Sequence, residues 1–162
     1  MSKEIKALTK EVKKLTKNAS KRKLVRESAA FFKEYLFREN PRLMNNVYVD
    51  LKLRSKLDCY GEVCWEDSNL RPREFNMTIN MDLSNYDIVS TAAHEMVHVW
   101  QYASGKFKNY LDGNDYFDGR LYKRSLSYEK RPWEKEAYRM ETRLVKKWIK
   151  HVKKNGLYEY KS

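Results

Sequence analysis

Two histidines and a glutamate stand at a spacing typical of hydrolytic metal sites. The stretch His94-Glu95-Met96-Val97-His98 separates its imidazoles by four residues, and residues at that separation lie on one face of an α-helix. Two such imidazoles can bind one tetrahedral Zn²⁺ ion, and Glu95 can reach a metal-bound water without binding the metal itself. The spacing therefore predicts one Zn²⁺ per chain, with His94 and His98 as ligands and Glu95 as the general base of a hydrolysis.

The residues around this motif have the features of an α-helix. Ser84 or Asn85 can cap the helix, and Asp87 lies in its first turn, where the helix dipole favours negative charge. Apolar residues recur at helical spacing on one face, at Ile88, Ala92, Met96 and Val99. Gly105 is expected to end the helix.

A catalytic zinc site usually has a third protein ligand. The metzincin pattern would need a glycine at position 101 and a histidine at position 104, where this chain has Gln101 and Ser104, so that class is excluded. His151 stands among lysines near the end of the last predicted helix and is expected to lie on the surface. The remaining candidates are glutamates of that helix, namely Glu134, Glu136 and Glu141.

Glu134 and Glu136 lie about 200° apart around a helix, so only one of them can face a given metal. Glu134 falls in the first turn, where the helix dipole already explains an acidic residue. Glu136 has no such explanation and precedes Ala137, a small residue that lets helices approach closely. We therefore expect Glu136 to be the third ligand.

Hydrophobic periodicity predicts the elements that position these residues. The spacing predicts helices over residues 3–16 and 21–38, and period-two alternation predicts strands over 47–53, 58–65 and 75–81. This order predicts an α+β fold with N-terminal helices, a short and mostly antiparallel sheet, the motif helix and a C-terminal helix that carries the third ligand. Too few helices intervene between the strands for a parallel sheet.

Residues 106–130 contain two Asp-Gly turn signals and are predicted to be a long loop that walls the cleft beside the metal. Tyr128 or Tyr122 of this loop is the candidate donor to a developing oxyanion. The last helix is expected to begin at Pro132 and to end before Gly156. An extended polypeptide substrate is expected to pair with the strand at 74–81, which contains Phe75, Met77 and Ile79.

The formal charge of +12 is concentrated at the two ends of the chain. Residues 1–26 carry a net charge of +8 and residues 139–154 carry +6, while residues 27–138 carry −2. The charge is compatible with an anionic partner such as nucleic acid, and equally with a solvated, lysine-coated helix. On charge we divide the chain into a basic, amphipathic helical segment (1–23) and a catalytic domain (24–162).

The apolar stretches are too short for a membrane span, and the basic N-terminus lacks the apolar core of a secretory signal. We therefore expect a cytoplasmic protein, and the host cytoplasm if a phage encodes it.

The motif resembles the SprT-like metallopeptidases when it is taken with its surroundings. The relevant stretches are Arg71-Pro72-Arg73-Glu74-Phe75 before it, Val99-Trp100-Gln101 directly after it, and Arg131-Pro132-Trp133-Glu134-Lys135-Glu136-Ala137-Tyr138. The similarity covers about residues 44–150 and is greatest to small members found in phage genomes.

The resemblance implies a minimal zincin fold and zinc-dependent peptide hydrolysis. In glutamate-type zincins the third ligand directly precedes an alanine, which corresponds to Glu136 here. SprT proper uses a histidine as its third ligand. The resemblance therefore implies the same metal chemistry, but it does not imply the same substrate.

Two other functions remain open on the sequence. One is a nucleic-acid-associated protein whose basic ends do the main work, although a structural zinc site would have no use for Glu95. The other is a zinc hydrolase that cleaves a non-protein amide, which the motif alone does not distinguish from a peptidase.

Overall fold

The computed structural model describes residues 1–158, and their fold is α+β, as predicted. The helices are α1 (Lys3–Leu15), α2 (Lys21–Leu36), α3 (Pro41–Asn46), α4 (Asn85–Ala103) and α5 (Pro132–Asn155), with a 3₁₀ turn at Tyr128–Lys130. The strands are β1 (Tyr48–Arg54), β2 (Gly61–Trp65), β3 (Glu74–Asn80), β4 (Phe107–Asn109), β5 (Asn114–Phe117) and β6 (Arg120–Lys123).

The ends of the two helices that matter most follow from their local sequence. Ser84, not Asn85, caps α4, because its side chain accepts a hydrogen bond from the backbone N–H of Asp87 at 3.2 Å. Pro132 is the first residue of α5, as expected. Gly156 follows the last turn of α5 with φ +59°, a left-handed conformation that glycine adopts without strain.

The first sheet corrects the expectation of a mostly antiparallel arrangement. Its order is β1-β3-β2, with β3 antiparallel to β2 and parallel to β1. The short connection over residues 55–60 reverses the chain between β1 and β2, and β3 then inserts between them. A strand that is antiparallel to β2 must therefore run parallel to β1, and no crossover helix is needed.

A second sheet replaces the long loop predicted over residues 106–130. Strands β4, β5 and β6 form an antiparallel meander, and its turns contain the two Asp-Gly pairs that were predicted as turns. Phe107 and Phe117 of this sheet pack with Trp133 of α5 in a small core of their own. The strands have only three or four residues, which is too short for alternation to be recognised.

Helix α4 lies at the centre of the main core, where it packs against α2, α5 and the first sheet. Helix α1 contributes Leu8 and Val12 to the same core, although the segment 1–23 was set apart on charge. The boundary at residue 23 also falls inside α2. Within residues 1–158, none of the helices is long and apolar enough to cross a membrane.

Candidate metal centre

Helix α4 brings the two histidines of the motif together. His94 and His98 are one turn apart, and each is 8% exposed. Their Nε2 atoms lie 3.2 Å from each other. Because α4 is buried on most of its surface, both imidazoles are held by packing and project into a single cleft.

The first turn of α5 adds a carboxylate to the two imidazoles. Glu134 Oε2 lies 3.0 Å from His94 Nε2 and 3.3 Å from His98 Nε2. Four ligands at about 2.0–2.1 Å from a tetrahedral Zn²⁺ are about 3.3–3.4 Å from one another. The three separations are therefore close to the edges of such a tetrahedron, and this three-residue group (His94, His98 and Glu134) could hold a metal ion.

The prediction that Glu136 would complete the group is wrong. Its carboxylate accepts hydrogen bonds from Lys106 Nζ at 2.6 Å and from Gln101 Nε2 at 3.4 Å. The start of α5 faces the histidines, and the rotation of about 200° between the two glutamates turns Glu136 toward the segment that leads into β4. The helix dipole explains an acidic residue at position 134, in the first turn of α5, but the Glu134 carboxylate also contacts both imidazoles.

The other ring nitrogen of each histidine has a protein partner. His94 Nδ1 lies 3.0 Å from Glu141 Oε2, and His98 Nδ1 lies 2.8 Å from Gln101 Oε1. Glu141, which was considered as a ligand, therefore stands behind His94 and not in the group. Such outer contacts fix the orientation of an imidazole and direct its Nε2 toward the metal.

Neither outer partner was identified as such from the sequence. Glu141 could have been, because it lies seven residues after Glu134 and thus on the same face of α5. Gln101 gave no comparable signal.

His94 and Glu134 form a charged pair. Burial alone would lower the pKa of His94, but hydrogen bonds to Glu134 and Glu141 outweigh it and raise that pKa to about 9. Burial would raise the pKa of Glu134, but its hydrogen bond with His94 and the closeness of the His98 ring hold that pKa well below its usual value. A bound cation would take the place of the proton on His94.

Glu95 projects into the same cleft from α4. It is 8% exposed and, like His94, lines two cavities. Burial raises the pKa of its carboxyl, partly offset by the electrostatic influence of the two neighbouring imidazoles. A carboxylate with a raised pKa is a better proton acceptor.

Of the two candidate tyrosines, Tyr128 lies at the centre and Tyr122 does not. The Tyr128 hydroxyl donates a hydrogen bond to Glu134 Oε2 at 2.9 Å and lies 3.2 Å from the hydroxyl of Tyr138. Burial and these two neighbours raise the pKa of the Tyr128 phenol, so it stays a proton donor. Tyr122 packs with its ring 5.9 Å from that of Trp133. Tyr138, which the sequence did not single out, has its ring 4.6 Å from that of His94.

His151 lies on α5 seventeen residues after Glu134, about 25 Å along the helix axis. Its ring packs 4.8 Å from that of Phe31, so it belongs to a different part of the surface.

The cleft consists of two adjoining cavities of about 760 Å³ and 480 Å³ that meet at His94 and Glu95. Strand β2 forms one wall of it, with Gly61 bordering both cavities. The expected substrate strand was β3, but β3 is the middle strand and has both edges paired. Its residues Phe75, Met77 and Ile79 are at most 2% exposed, so β2 is the edge that is available to a substrate.

No known protein family, curated protein or solved structure matches this chain.

Proposed function

We propose that this chain is a zinc-dependent metallopeptidase with a zincin-like arrangement of its motif helix and ligand helix. One observation carries the proposal, namely that His94 Nε2, His98 Nε2 and Glu134 Oε2 converge within 3.0–3.3 Å of one another beside Glu95. A purely structural metal site would need no carboxylate of raised pKa next to its ligands. The resemblance to SprT-like metallopeptidases points to the same chemistry.

The donor set fits zinc. Two imidazole nitrogens and one carboxylate oxygen, in a cleft that leaves a fourth position open, are a known ligand set of catalytic zinc. When bound there, Zn²⁺ would polarise the scissile carbonyl and lower the pKa of a coordinated water toward 7. His94, His98 and Glu134 would hold it, while Glu141 and Gln101 orient the two imidazoles.

The remaining side chains would handle protons and the oxyanion. The Glu95 carboxylate would accept a proton from the attacking water and pass it to the leaving amine. The Tyr128 hydroxyl, beside Glu134 and exposed at the cleft, has a single hydrogen, and it would turn that hydrogen from Glu134 to the carbonyl oxygen as this becomes an oxyanion.

An extended polypeptide would add to the free edge of β2. Peptides commonly bind by extending a sheet at its edge strand, through main-chain hydrogen bonds. Gly61 brings β2 close to α4, since a Cβ at this position would lie 2.6 Å from Thr91 Cγ2. The edge is thereby held close to the helix that carries Glu95.

Metal analysis combined with a peptide-library screen tests the proposal. Wild-type protein should contain about one Zn²⁺ per chain and cleave peptides, and Glu95→Gln should keep the metal but lose about 10²–10⁴-fold in rate. Glu39→Gln, which changes an exposed glutamate in the turn between α2 and α3, is the matched control. Peptide cleavage that survives in Glu95→Gln, or a wild-type protein that binds no zinc, would overturn the proposal. Cleavage of a non-protein amide alone would favour the other zinc hydrolase.

We also propose an anionic partner, such as nucleic acid, for the basic ends. Lys146 pairs with Glu4, and Lys153 pairs with Glu11. From the first ion pair to the second, the residue number rises by seven in both helices. Helices α1 and α5 therefore lie side by side and run in the same direction. The two basic segments of the sequence are therefore neighbours in the fold, which would let one polyanion contact both.

Substitution of exposed lysines tests this partner better than deletion of α1, because Val12 is fully buried in the core. Lys10→Gln/Lys14→Gln should weaken binding to duplex DNA and flatten its salt dependence by about one to two units of log–log slope. Lys123→Gln/Lys130→Gln, near the second sheet, is the control of equal charge. If the wild type does not bind duplex DNA even at low salt, the proposal of an anionic partner is wrong. The lysines would then only form the solvated surface of a helix.

A further inference from the structure

Gln101 is a fully buried amide on α4, one turn after His98. Its Oε1 lies 2.8 Å from His98 Nδ1, and its Nε2 donates to the backbone oxygen of Trp133 at 3.1 Å and to Glu136 Oε2 at 3.4 Å. Buried polar atoms need such partners, and this side chain has one for each end of its amide. It thereby connects a candidate metal ligand to α5.

These contacts decide which way the amide points. The carbonyl of Trp133 only accepts hydrogen bonds, and so does the carboxylate of Glu136, which is paired with Lys106 Nζ at 2.6 Å. The NH₂ group of Gln101 must therefore face these two acceptors, and its oxygen must face His98.

The orientation of the amide in turn decides where His98 carries its proton. An amide oxygen is only an acceptor, so His98 Nδ1 must bear the hydrogen that lies between them. A neutral imidazole has one N–H, which leaves the lone pair of His98 on Nε2. That nitrogen is the one that faces His94 and Glu134.

We propose that Gln101 is a positioning residue that fixes the Nδ1–H tautomer and the ring orientation of His98 for metal binding, with Glu136 and Lys106 holding its amide in place. This inference rests on the proposed metal site. Glu136, which was expected to be a metal ligand, thereby acts indirectly, through Gln101 and His98.

The geometry explains why an amide, and not a carboxylate, stands behind His98. His94 has a carboxylate, that of Glu141, in the equivalent place. A glutamate at position 101 would place its second oxygen about 3.4 Å from Glu136 Oε2, and it would leave the Trp133 carbonyl without its donor. Gln101→Glu is nearly isosteric, yet it should disturb His98 more than its size suggests.

Ring ¹H–¹⁵N correlation spectra of the metal-free wild type test the tautomer without any substitution. The spectrum at pH 8 should show a protonated Nδ1 and an unprotonated Nε2 for His98. Because it needs neither zinc nor activity, it remains decisive if the proposed function fails. An Nε2–H tautomer of His98 would overturn the inference.

A charge swap tests the part played by Glu136. Gln101→Glu should weaken zinc binding about 10–100-fold, the range typical of disturbed outer-shell contacts, because repulsion from Glu136 and the unpaired Trp133 carbonyl would displace the acceptor of His98 Nδ1–H. Gln101→Glu/Glu136→Gln should recover most of this loss, because the new amide at 136 can donate to the new carboxylate at 101.

The zinc Kd, from competition with a chromophoric chelator, is the readout for this swap. A Gln101→Glu variant that binds zinc like the wild type would overturn the inference. So would a double variant that binds zinc no better than Gln101→Glu.

Discussion

Replacing Glu134 and Glu136 one at a time separates a metal ligand from its near neighbour. Glu134→Gln removes a carboxylate whose oxygen lies 3.0 Å and 3.3 Å from the two imidazole Nε2 atoms. Apparent binding free energies of four-ligand zinc sites are about 10–16 kcal/mol, so an average ligand contributes about 2.5–4 kcal/mol. Since each 1.4 kcal/mol is a factor of ten, Glu134→Gln should weaken zinc binding about 10²–10³-fold.

Glu136→Gln should have the opposite profile. Zinc affinity should stay within about tenfold of wild type, because an amide at 136 can still accept from Gln101. The free energy of unfolding should fall by about 1–3 kcal/mol, since the partly buried ammonium of Lys106 loses its charged partner. Chelator competition gives the first quantity, and urea unfolding of metal-stripped protein gives the second. If Glu136→Gln loses zinc while Glu134→Gln retains it, the assignment of the ligand from these distances is wrong.

Three further outcomes are expected. Tyr128→Phe should lower kcat about 10²–10³-fold without changing zinc content, whereas Tyr122→Phe should change neither, which steady-state kinetics and metal analysis would show. Zinc affinity should rise by up to tenfold per pH unit from pH 6 to 8, because His94, with its pKa raised to about 9, must lose a proton to bind; an affinity independent of pH would refute this. Leu8→Ala should cost about 2–5 kcal/mol in urea unfolding, against at most about 0.5 kcal/mol for the exposed Lys6→Ala, and equal losses would mean that α1 is not part of the core.

The parts of the centre that the sequence predicted are those set within one helix. His94, Glu95 and His98 lie on consecutive turns of α4, so a four-residue spacing determines their relative placement. The choice of Glu134 depends instead on how α5 is rotated when it packs on α4. No local pattern reports that rotation, and the argument from the first helical turn favoured Glu136.

For the first sheet, too, the sequence predicted the individual strands but not the order in which they pair. Alternation located β1 and β3 to within a residue or two and gave β2 an early start, since each strand has its own polar and apolar faces. It could not reveal that β3 inserts between β1 and β2, because pairing order is a property of three separated segments. The substrate edge was therefore assigned to Phe75, Met77 and Ile79, which are interior residues of the middle strand.

The side chains of the centre are oriented by contacts within the protein. Glu141 holds His94, Gln101 holds His98, and Tyr128 donates to Glu134. A metal held by this group would find its ligands oriented by these contacts, and it would have to displace the proton of His94. Two things follow for an ion held by this group, namely that its affinity depends on pH and that metal-stripped protein keeps its fold. A small zinc finger, which unfolds without its metal, would behave in the opposite way.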